Sequence, residues 1–354
     1  MFRNNRGEWS EIYVFVYLLY AGKLYAADKD MQKLDDFFPV VKIIREENDN
    51  ERMDYKTGDY ITILRNGEEV AQVDKAEFDN AAMVLLEKIP QGSSAFEIPE
   101  IEDFFRRIFV TKIKEKASKK EDITIQIHDI HTGITAVQGF SIKSFFGSNP
   151  TLMNPGKNTN FSFIVTNCND DIMNYANSAD GHAKLIQRMT RLTERGCELI
   201  PIEHSISFQF ESNLMFIDSR MPELLQLLVL YSYKYMLYEF TDILERIKAD
   251  NPMQFPVPQM YDYKAKKLLC AFALGLTPEK EWYGVEDANG GYITVREDGE
   301  VVCYHVYNRG DFEEYLLTHT RMERASTSRY EYMSIYKRCD RYEIKLNLQV
   351  RFHK

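Results

Sequence analysis

An α/β (α+β) fold with a mixed central sheet flanked by helices is what the sequence predicts, and three observations carry it. Stretches with apolar residues at helical spacing interchange with short alternating stretches. Several alternating stretches come in pairs around a turn dipeptide. The 354 residues are 44% hydrophobic, enough to bury a large core without disulfide or metal staples.

Taken in order, residues 8–20 set Trp9, Ile12, Tyr13, Val16, Leu19 and Tyr20 at helical spacing. Asn5 followed three residues later by Glu8 has the form of a capping box. Tyr60–Leu64 and Glu69–Val73 read as a hairpin through Asn66-Gly67. Ala76–Ile89 and Pro99–Ile113 read as helices. Arg106–Lys120 holds seven basic residues, Lys119 and Lys120 among them, against the single acid Glu115. Asp122–His128 and Val137–Lys143 alternate as strands. Gly147–Asn160 is a polar loop, and Phe161–Thr166 is a short strand. Helices are predicted over 169–177, 180–195 and 221–249, with strands near 206–210 and 213–217. Pro252, Pro256 and Pro258 break any helix through Asn251–Met260. The expected organisation is therefore a core over 1–250, a linker over 251–260 and an α+β module over 261–354. That module holds a hairpin, Tyr292–Arg296 with Val301–Tyr307, and a strand over Tyr342–Phe352.

Charge and cysteine content narrow the function. Lys plus Arg number 44 and Asp plus Glu 54, a net charge of −10. That excludes a uniformly basic nucleic-acid coat but leaves room for a local basic groove. From Thr318 to Lys354, nine basic residues face four acids, so this stretch is +5 and the rest −15. Five scattered cysteines without C-x-x-C exclude a zinc ribbon and a disulfide framework, and point to reduced thiols in a cytoplasmic setting. The apolar run Ile12–Gly22 is far short of the ~20 residues a bilayer span needs, so no membrane segment is expected. No phosphate-loop or G-x-S-x-G pattern occurs.

The pair DITIQIHD and GFSIKS is the sharpest feature. Ile123, Ile125 and Ile127 alternate with Asp122, Thr124, Gln126 and His128; Phe140 and Ile142 alternate with Ser141 and Lys143. Folded as an antiparallel hairpin with its turn centred between Thr132 and Gly133, the two polar faces coincide. That register sets Asp122 opposite Lys143, Thr124 opposite Ser141 and Ile123 opposite Ile142. A carboxylate beside an ammonium suits phosphodiester hydrolysis: the first can hold Mg²⁺, the second a phosphate oxygen or the attacking water. The structural alternative is a cross-strand ion pair on a solvated face. Asp129 would lie near the turn, far from Lys143. His128 and His131 read as structural or solvated.

An Asp, eighteen intervening residues and then S-I-K resembles the PD-(D/E)xK nuclease motif. Glu121 stands where that motif has proline, and Ser141 where it has an acid. A second metal ligand must therefore come from elsewhere, with Glu8, Glu11 and Glu97 as candidates; capping is the other role for Glu8. Beyond this pair the chain resembles the HpaII family of type II restriction endonucleases. The likeness runs through RGEWSEIYVFVYLLYAGKLYAAD, SAFEIPEIEDFF, EDITIQIHDIHTGI, GFSIKS, FFGSNPTLMN and TNFSF. It continues through GYITVREDGEVVCYHVYNRGDFEEYLLTHTRMERASTSRYEYMSIYK and YEIKLNLQVRF, in order over nearly the whole length.

The resemblance implies a restriction-endonuclease-like core with a C-terminal α+β DNA-reading module, in a prokaryotic cytoplasm. It implies cleavage of duplex DNA within the palindrome CCGG, a need for Mg²⁺ and a cognate DNA methyltransferase as genetic partner. It carries Asp122, Ser141 and Lys143 as catalytic positions, with Asp122 and Glu8 as metal ligands. Ser148, Thr151, Asn154 and Asn160 of the polar loop are expected to touch DNA. Lys119 and Lys120 are placed to grip the backbone. In ASTSRY, Thr327 and Ser328 offer hydroxyls, and Arg324 and Arg329 are candidates for a guanine edge. A palindrome suits a two-fold homodimer; a monomer nicking each strand in turn is the alternative. On the residues alone two readings stay open beside this one: a similar nuclease with another DNA target, and a DNA-binding protein whose Asp–Lys pair is inert.

Overall fold

The computed structural model describes residues 2–48, 50–113, 121–181, 183–305 and 308–353. Two units are drawn from alternating stretches of chain. Met1–Pro150, Ala273–Gly275 and Glu286–Tyr315 form the first; Thr151–Phe272, Leu276–Val285 and Leu316–Lys354 form the second. The Pro-rich segment 251–260 lies inside the second unit.

The first unit opens with β1 (Asn4–Asn5) and α1 (Arg6–Ala21). The strands β2 (Lys23–Ala27), β3 (Lys33–Asn48), β4 (Glu51–Lys56), β5 (Tyr60–Arg65) and β6 (Glu68–Asp74) follow, then α2 (Lys75–Lys88). Next come β7 (Ala95–Phe96), α3 (Glu102–Arg107), β8 (Ile123–His128) and β9 (Thr135–Ser144). Late in the chain β13 (Gly291–Val295), β14 (Val301–His305) and α10 (Arg309–Thr318) return to it. Nine of these strands make one sheet of order β2-β14-β13-β9-β8-β3-β4-β5-β6, and the long β3 also pairs with β2. The joins β13–β9 and β14–β2 are parallel and the others antiparallel.

One sheet face carries the apolar side of the alternation and closes on α1 and α2. Ile43, Ile125, Phe140, Ile142 and Ile293 share a core with Trp9, Phe15, Val16 and Leu85. At ~1.5–3 kcal/mol for each fully buried large side chain, the all-round burial of α1 makes it the anchor of the unit. Its start is set as the sequence suggests. The Asn5 side chain accepts from the Glu8 amide at 3.1 Å, and Glu8 accepts from the Asn5 amide at 3.0 Å.

The second unit comprises β10 (Thr151–Met153), β11 (Asn160–Val165), α4 (Asp170–Asn177), α5 (Lys184–Glu194) and β12 (Leu199–Pro201). It continues through α6 (Phe208–Ile217), α7 (Met221–Tyr235), α8 (Phe240–Asp250) and α9 (Gln259–Leu274). Its last elements are β15 (Thr320–Met322), α11 (Thr327–Tyr330), β16 (Ile335–Arg338), β17 (Arg341–Asn347) and β18 (Val350–Phe352). They build two sheets, β12-β11-β17-β16 and β10-β18-β15.

The mixed α+β class is as expected, and several elements are not. Where strands are expected near 206–210 and 213–217 there is one helix, α6 (Phe208–Ile217): Ser207 caps it by accepting from the Phe210 amide at 3.3 Å, and the alternation of Phe208 and Phe210 leaves Phe208 exposed. The helix expected over 221–249 breaks at Met236, which takes a left-handed φ of 54° and caps α7. The helix expected over Pro99–Ile113 begins as a 3-10 turn and ends at Arg107, because Phe109 turns to a φ of 62°. Tyr342–Phe352 is two strands, parted where the Leu348 amide leaves the ladder for the Thr159 carbonyl at 3.0 Å. Gly147–Asn160 is not all loop: it contains β10, and Asn160 begins β11.

Candidate active site

The hairpin of β8 and β9 forms, in a register two residues tighter than expected. Ile123 faces Phe140, Thr124 faces Gly139, and His128 faces Thr135. The expected pairs of Asp122 with Lys143, Thr124 with Ser141 and Ile123 with Ile142 do not form. The cause is the turn. Buried Asp129 accepts from the His131 amide at 2.8 Å, the Thr132 amide at 3.3 Å and the Thr132 hydroxyl at 2.8 Å. Its own amide reaches the Ile134 carbonyl at 2.9 Å, and its carbonyl takes the Gly133 amide at 2.8 Å. These bonds centre the loop between His131 and Thr132. A slip of two residues preserves the faces, so Asp122, Ser141 and Lys143 still share one side.

The tighter register brings Asp122 to Ser141. The Asp122 amide donates to the Phe140 carbonyl at 2.8 Å. Its Oδ2 accepts from the Ser141 hydroxyl at 3.1 Å and from the Ile142 amide at 2.6 Å. Its Oδ1 accepts no hydrogen bond among the described residues. Lys143 lies two positions beyond Ser141, ~6.6 Å along the strand. Asp122 and Lys143 are half-buried, and neither forms an ion pair among the described residues. The structural alternative, an Asp122–Lys143 ion pair, is therefore not what the sheet contains.

Strand β13 supplies a part of the site that its alternation did not announce. In parallel register Tyr292 stands beside Ser141, and Thr294 beside Lys143. The Lys143 Nζ lies 5.9 Å from the Tyr292 ring centroid, within reach of a cation–π attraction. Burial first, then the neighbouring Tyr315, Asp122 and Tyr304, push the Tyr292 hydroxyl well above its ordinary range, so it stays neutral. Behind it Tyr304 stacks on Tyr315 with centroids 4.3 Å apart and planes at 15°. The hairpin Tyr292–His305 was legible from its Asp298-Gly299 turn. A parallel partner has no turn to reveal it, so the placement of Tyr292 and Thr294 beside β9 left no mark in the sequence.

Other candidates are placed as follows. Glu8 is engaged in the capping box of α1, and Glu97 is exposed. Among the described residues no three of His, Cys, Asp and Glu converge on a metal position. A single carboxylate fixed through one oxygen and open at the other nevertheless fits Mg²⁺, which keeps waters and takes phosphate oxygens alongside one or two carboxylates. His128 bonds Thr135 at 2.9 Å, and His131 bonds Asp36 at 2.8 Å, which raises the His131 pKa.

Ser148 and Asn154 are exposed, and Thr151 is half-buried in β10. Asn160 is buried, its amide donating to the Tyr330 carbonyl at 2.9 Å and its oxygen accepting from Asn347 at 2.8 Å. Arg324 is likewise engaged inside its unit. It donates to the Ser232 carbonyl at 2.9 Å and hydroxyl at 2.8 Å, and lies 4.0 Å from the Tyr233 ring centroid. Thr327 is buried, whereas Ser328 and Arg329 are exposed. Lys119 and Lys120 lie outside the described residues.

The family model for the HpaII restriction endonuclease matches residues 5–352. The type II restriction enzyme HpaII of Haemophilus parainfluenzae is 38% identical over 358 residues, covering 99% of this chain and 99% of that protein. No solved structure matches the chain.

Proposed function

The chain belongs to the HpaII restriction endonuclease family, and from that membership we propose a target and a mechanism: Mg²⁺-dependent hydrolysis of duplex DNA at CCGG, on a PD-(D/E)xK-like core centred on Asp122 and Lys143. It is a type II site-specific deoxyribonuclease, of a class that uses divalent metal ions. The observation that carries the proposal is the half-buried pair itself. Asp122 keeps one oxygen open, Lys143 has no carboxylate partner among the described residues, and both stand on one face of β8 and β9.

Asp122 would hold the cation through Oδ1, while Ser141 and the Ile142 amide keep the carboxylate from rotating. When bound, the cation supplies Lewis-acid polarisation of a phosphoryl oxygen and a water of lowered pKa. Lys143 donates to a non-bridging oxygen of the reacting phosphate, where negative charge grows. Water oxygen bonds to phosphorus as the bond to the leaving sugar oxygen breaks. Tyr292 supports the lysine from beneath. Glu8 serves α1 as a cap through Oε2; the remaining metal positions would go to water, phosphate and a second carboxylate, for which Glu8, Glu11 and Glu97 are the candidates.

We assign contacts with DNA to Ser148, Thr151, Asn154, Ser328 and Arg329, and backbone grip to Lys119 and Lys120. Of the stretch 261–354, the part that lies in the second unit belongs to reading the site, while β13 and β14 complete the sheet of the first. The palindrome is matched by a homodimer, and a cognate methyltransferase protects host DNA. Among the described residues no helix is long and apolar enough to cross a membrane; action in the cytoplasm is proposed from the DNA target alone.

The test is plasmid DNA with Mg²⁺, and with EDTA as control, followed by sequencing of the fragment ends. Discrete fragments all ending within CCGG, and none in EDTA, are the expected result. Discrete fragments with another end sequence would overturn the target, and cleavage in EDTA would overturn the metal requirement.

A further inference from the structure

The hairpin of β16 and β17 carries two arginines whose setting calls for a ligand. Arg338 and Arg341 face each other across the ladder at its open end, beside the turn at Cys339 and Asp340. Opposed side chains start ~5 Å apart, and like charges there repel. Between them lies Glu343, 0% exposed although it sits on a strand of an ordinary sheet. Taking a carboxylate out of water is costly, and an apolar residue would continue the sheet equally well. What Glu343 does is hold the arginines. Its Oε1 accepts from Arg341 Nε at 2.6 Å, its Oε2 accepts from the Tyr336 hydroxyl at 3.1 Å, and Arg338 Nη1 lies 3.9 Å away.

The consequence is a guanidinium fixed by its inner nitrogen. Arg341 is 48% exposed in its side chain, and its two Nη groups make no hydrogen bond among the described residues. A planar fork held at Nε and open at Nη1 and Nη2 is organised in advance to meet two acceptors at once. The hairpin Ile335–Asn347 adds Lys337 and Lys345 and carries four basic residues against Asp340 and Glu343. From Tyr342 inward β17 is held in its sheet by β11, so what stands clear is the exposed tip Arg338–Arg341, a narrow basic turn that the major groove of DNA can admit.

We propose that the tip of this hairpin enters the major groove of duplex DNA and that Arg341, positioned by Glu343, reads O6 and N7 of a guanine. Arg338 accompanies it at the groove wall. The assignment rests on the site-specific endonuclease reading above and adds a reader distinct from Arg329. Glu343 is a positioning residue: it acts through Arg341 and touches no DNA.

The experiment measures equilibrium binding in Ca²⁺ to a duplex bearing the cleaved sequence and to a scrambled duplex. Wild type, Arg341→Ala, Arg341→Lys and Glu343→Gln are compared over a salt series. Arg341→Ala should lose about 10- to 100-fold on the cognate duplex and less than twofold on the scrambled one. Arg341→Lys should not rescue it, because a point charge cannot replace the fork. Glu343→Gln should lose cognate affinity with the melting transition and scrambled-duplex binding retained; a lowered melting transition with equal losses on both duplexes would make Glu343 merely structural and overturn its role. Arg341→Ala leaves buried Glu343 without its charge partner and should lower the melting transition, whereas Arg341→Lys keeps a cation beside Glu343 and so decides the reading independently of stability. Equal loss on both duplexes would make Arg341 a phosphate contact, and no loss would remove the hairpin from the interface. Either result overturns the proposal while wild-type cleavage stands. Failure of wild type to cut at any defined sequence would instead sink the endonuclease reading.

Discussion

Asp122 and Lys143 are the residues on which the chemistry stands or falls. Asp122→Ala removes the open oxygen and Lys143→Ala the charge facing the phosphate. Each should slow single-turnover cleavage by several orders of magnitude, a loss of about 4 kcal/mol or more in transition-state stabilisation. Binding in Ca²⁺ should be retained, and near-wild-type cleavage by either variant would refute the site. Asp129, spent on its turn, should behave oppositely: Asp129→Ala should lower the melting temperature and leave cleavage of the surviving fold largely intact. His305 supplies a dependence on pH. It is buried, bonded to Gln138 at 2.9 Å and stacked on Phe38, and burial holds its pKa down to about 4 against the small opposing pull of Asp129. Between that value and the ordinary 6.5, the unfolded chain takes up a proton that the fold refuses. The contribution of His305 is thus complete above pH ~6.5 and is lost as the pH falls toward ~4. Melting curves at pH 7.5 and 5 should show a smaller drop for His305→Gln than for wild type. Equal drops would mean that His305 is already protonated in the fold.

Among the elements, α1 allows capping and catalysis by Glu8 to be separated. Gln preserves the reciprocal bond to Asn5, so Glu8→Gln should retain both stability and cleavage, whereas Asn5→Ala should cost ~1 kcal/mol and leave the rate untouched. A stable Glu8→Gln protein that no longer cuts would restore Glu8 as a metal ligand. The same helix shows what the sequence makes legible. Its cap and apolar spacing are local, as are the Asn66-Gly67 and Asp298-Gly299 hairpins, and all three formed where expected. The Asp122, Ser141 and Lys143 face was legible for the same reason, since alternation survives an even slip. The register itself was not, because the bonds of the Asp129 side chain, and not the Thr132-Gly133 dipeptide, centre the turn. Residues 23–56, three strands here, carry legible turn residues in Asp28, Asp30, Asn48 and Asn50 that the expected elements leave out, and β3 runs through 16 residues with its pairing shared among β2, β4 and β8. Tyr292 owes its role to β9, about 150 residues earlier in the chain, which no local pattern reports; Arg341 takes its setting from near neighbours, Arg338 and Glu343, whose grouping depends on the β16–β17 register.

At the scale of the whole molecule, a net charge of −10 opposes any polyanion, so binding must come from concentrated basic stretches. Replacing Lys119 and Lys120 together with alanine should weaken cognate and scrambled duplexes alike. It should also reduce the salt slope by about 2; an unchanged slope would take these lysines off the phosphates. The interleaving of the two units has a different kind of consequence. Strand β9 waits for its neighbour β13 through about 150 residues of intervening chain, and at ~5–20 residues per second that is roughly 10–30 s of protein synthesis. A ribosome that stops before Gly291 releases Asp122, Ser141 and Lys143 on a strand with a bare edge, lacking Tyr292 and the aromatic stack behind it. Chains truncated before Gly291 should therefore be unable to cut, and plasmid DNA incubated with fragments ending on either side of β13 would check this; cleavage by the shorter fragment would make β13 dispensable.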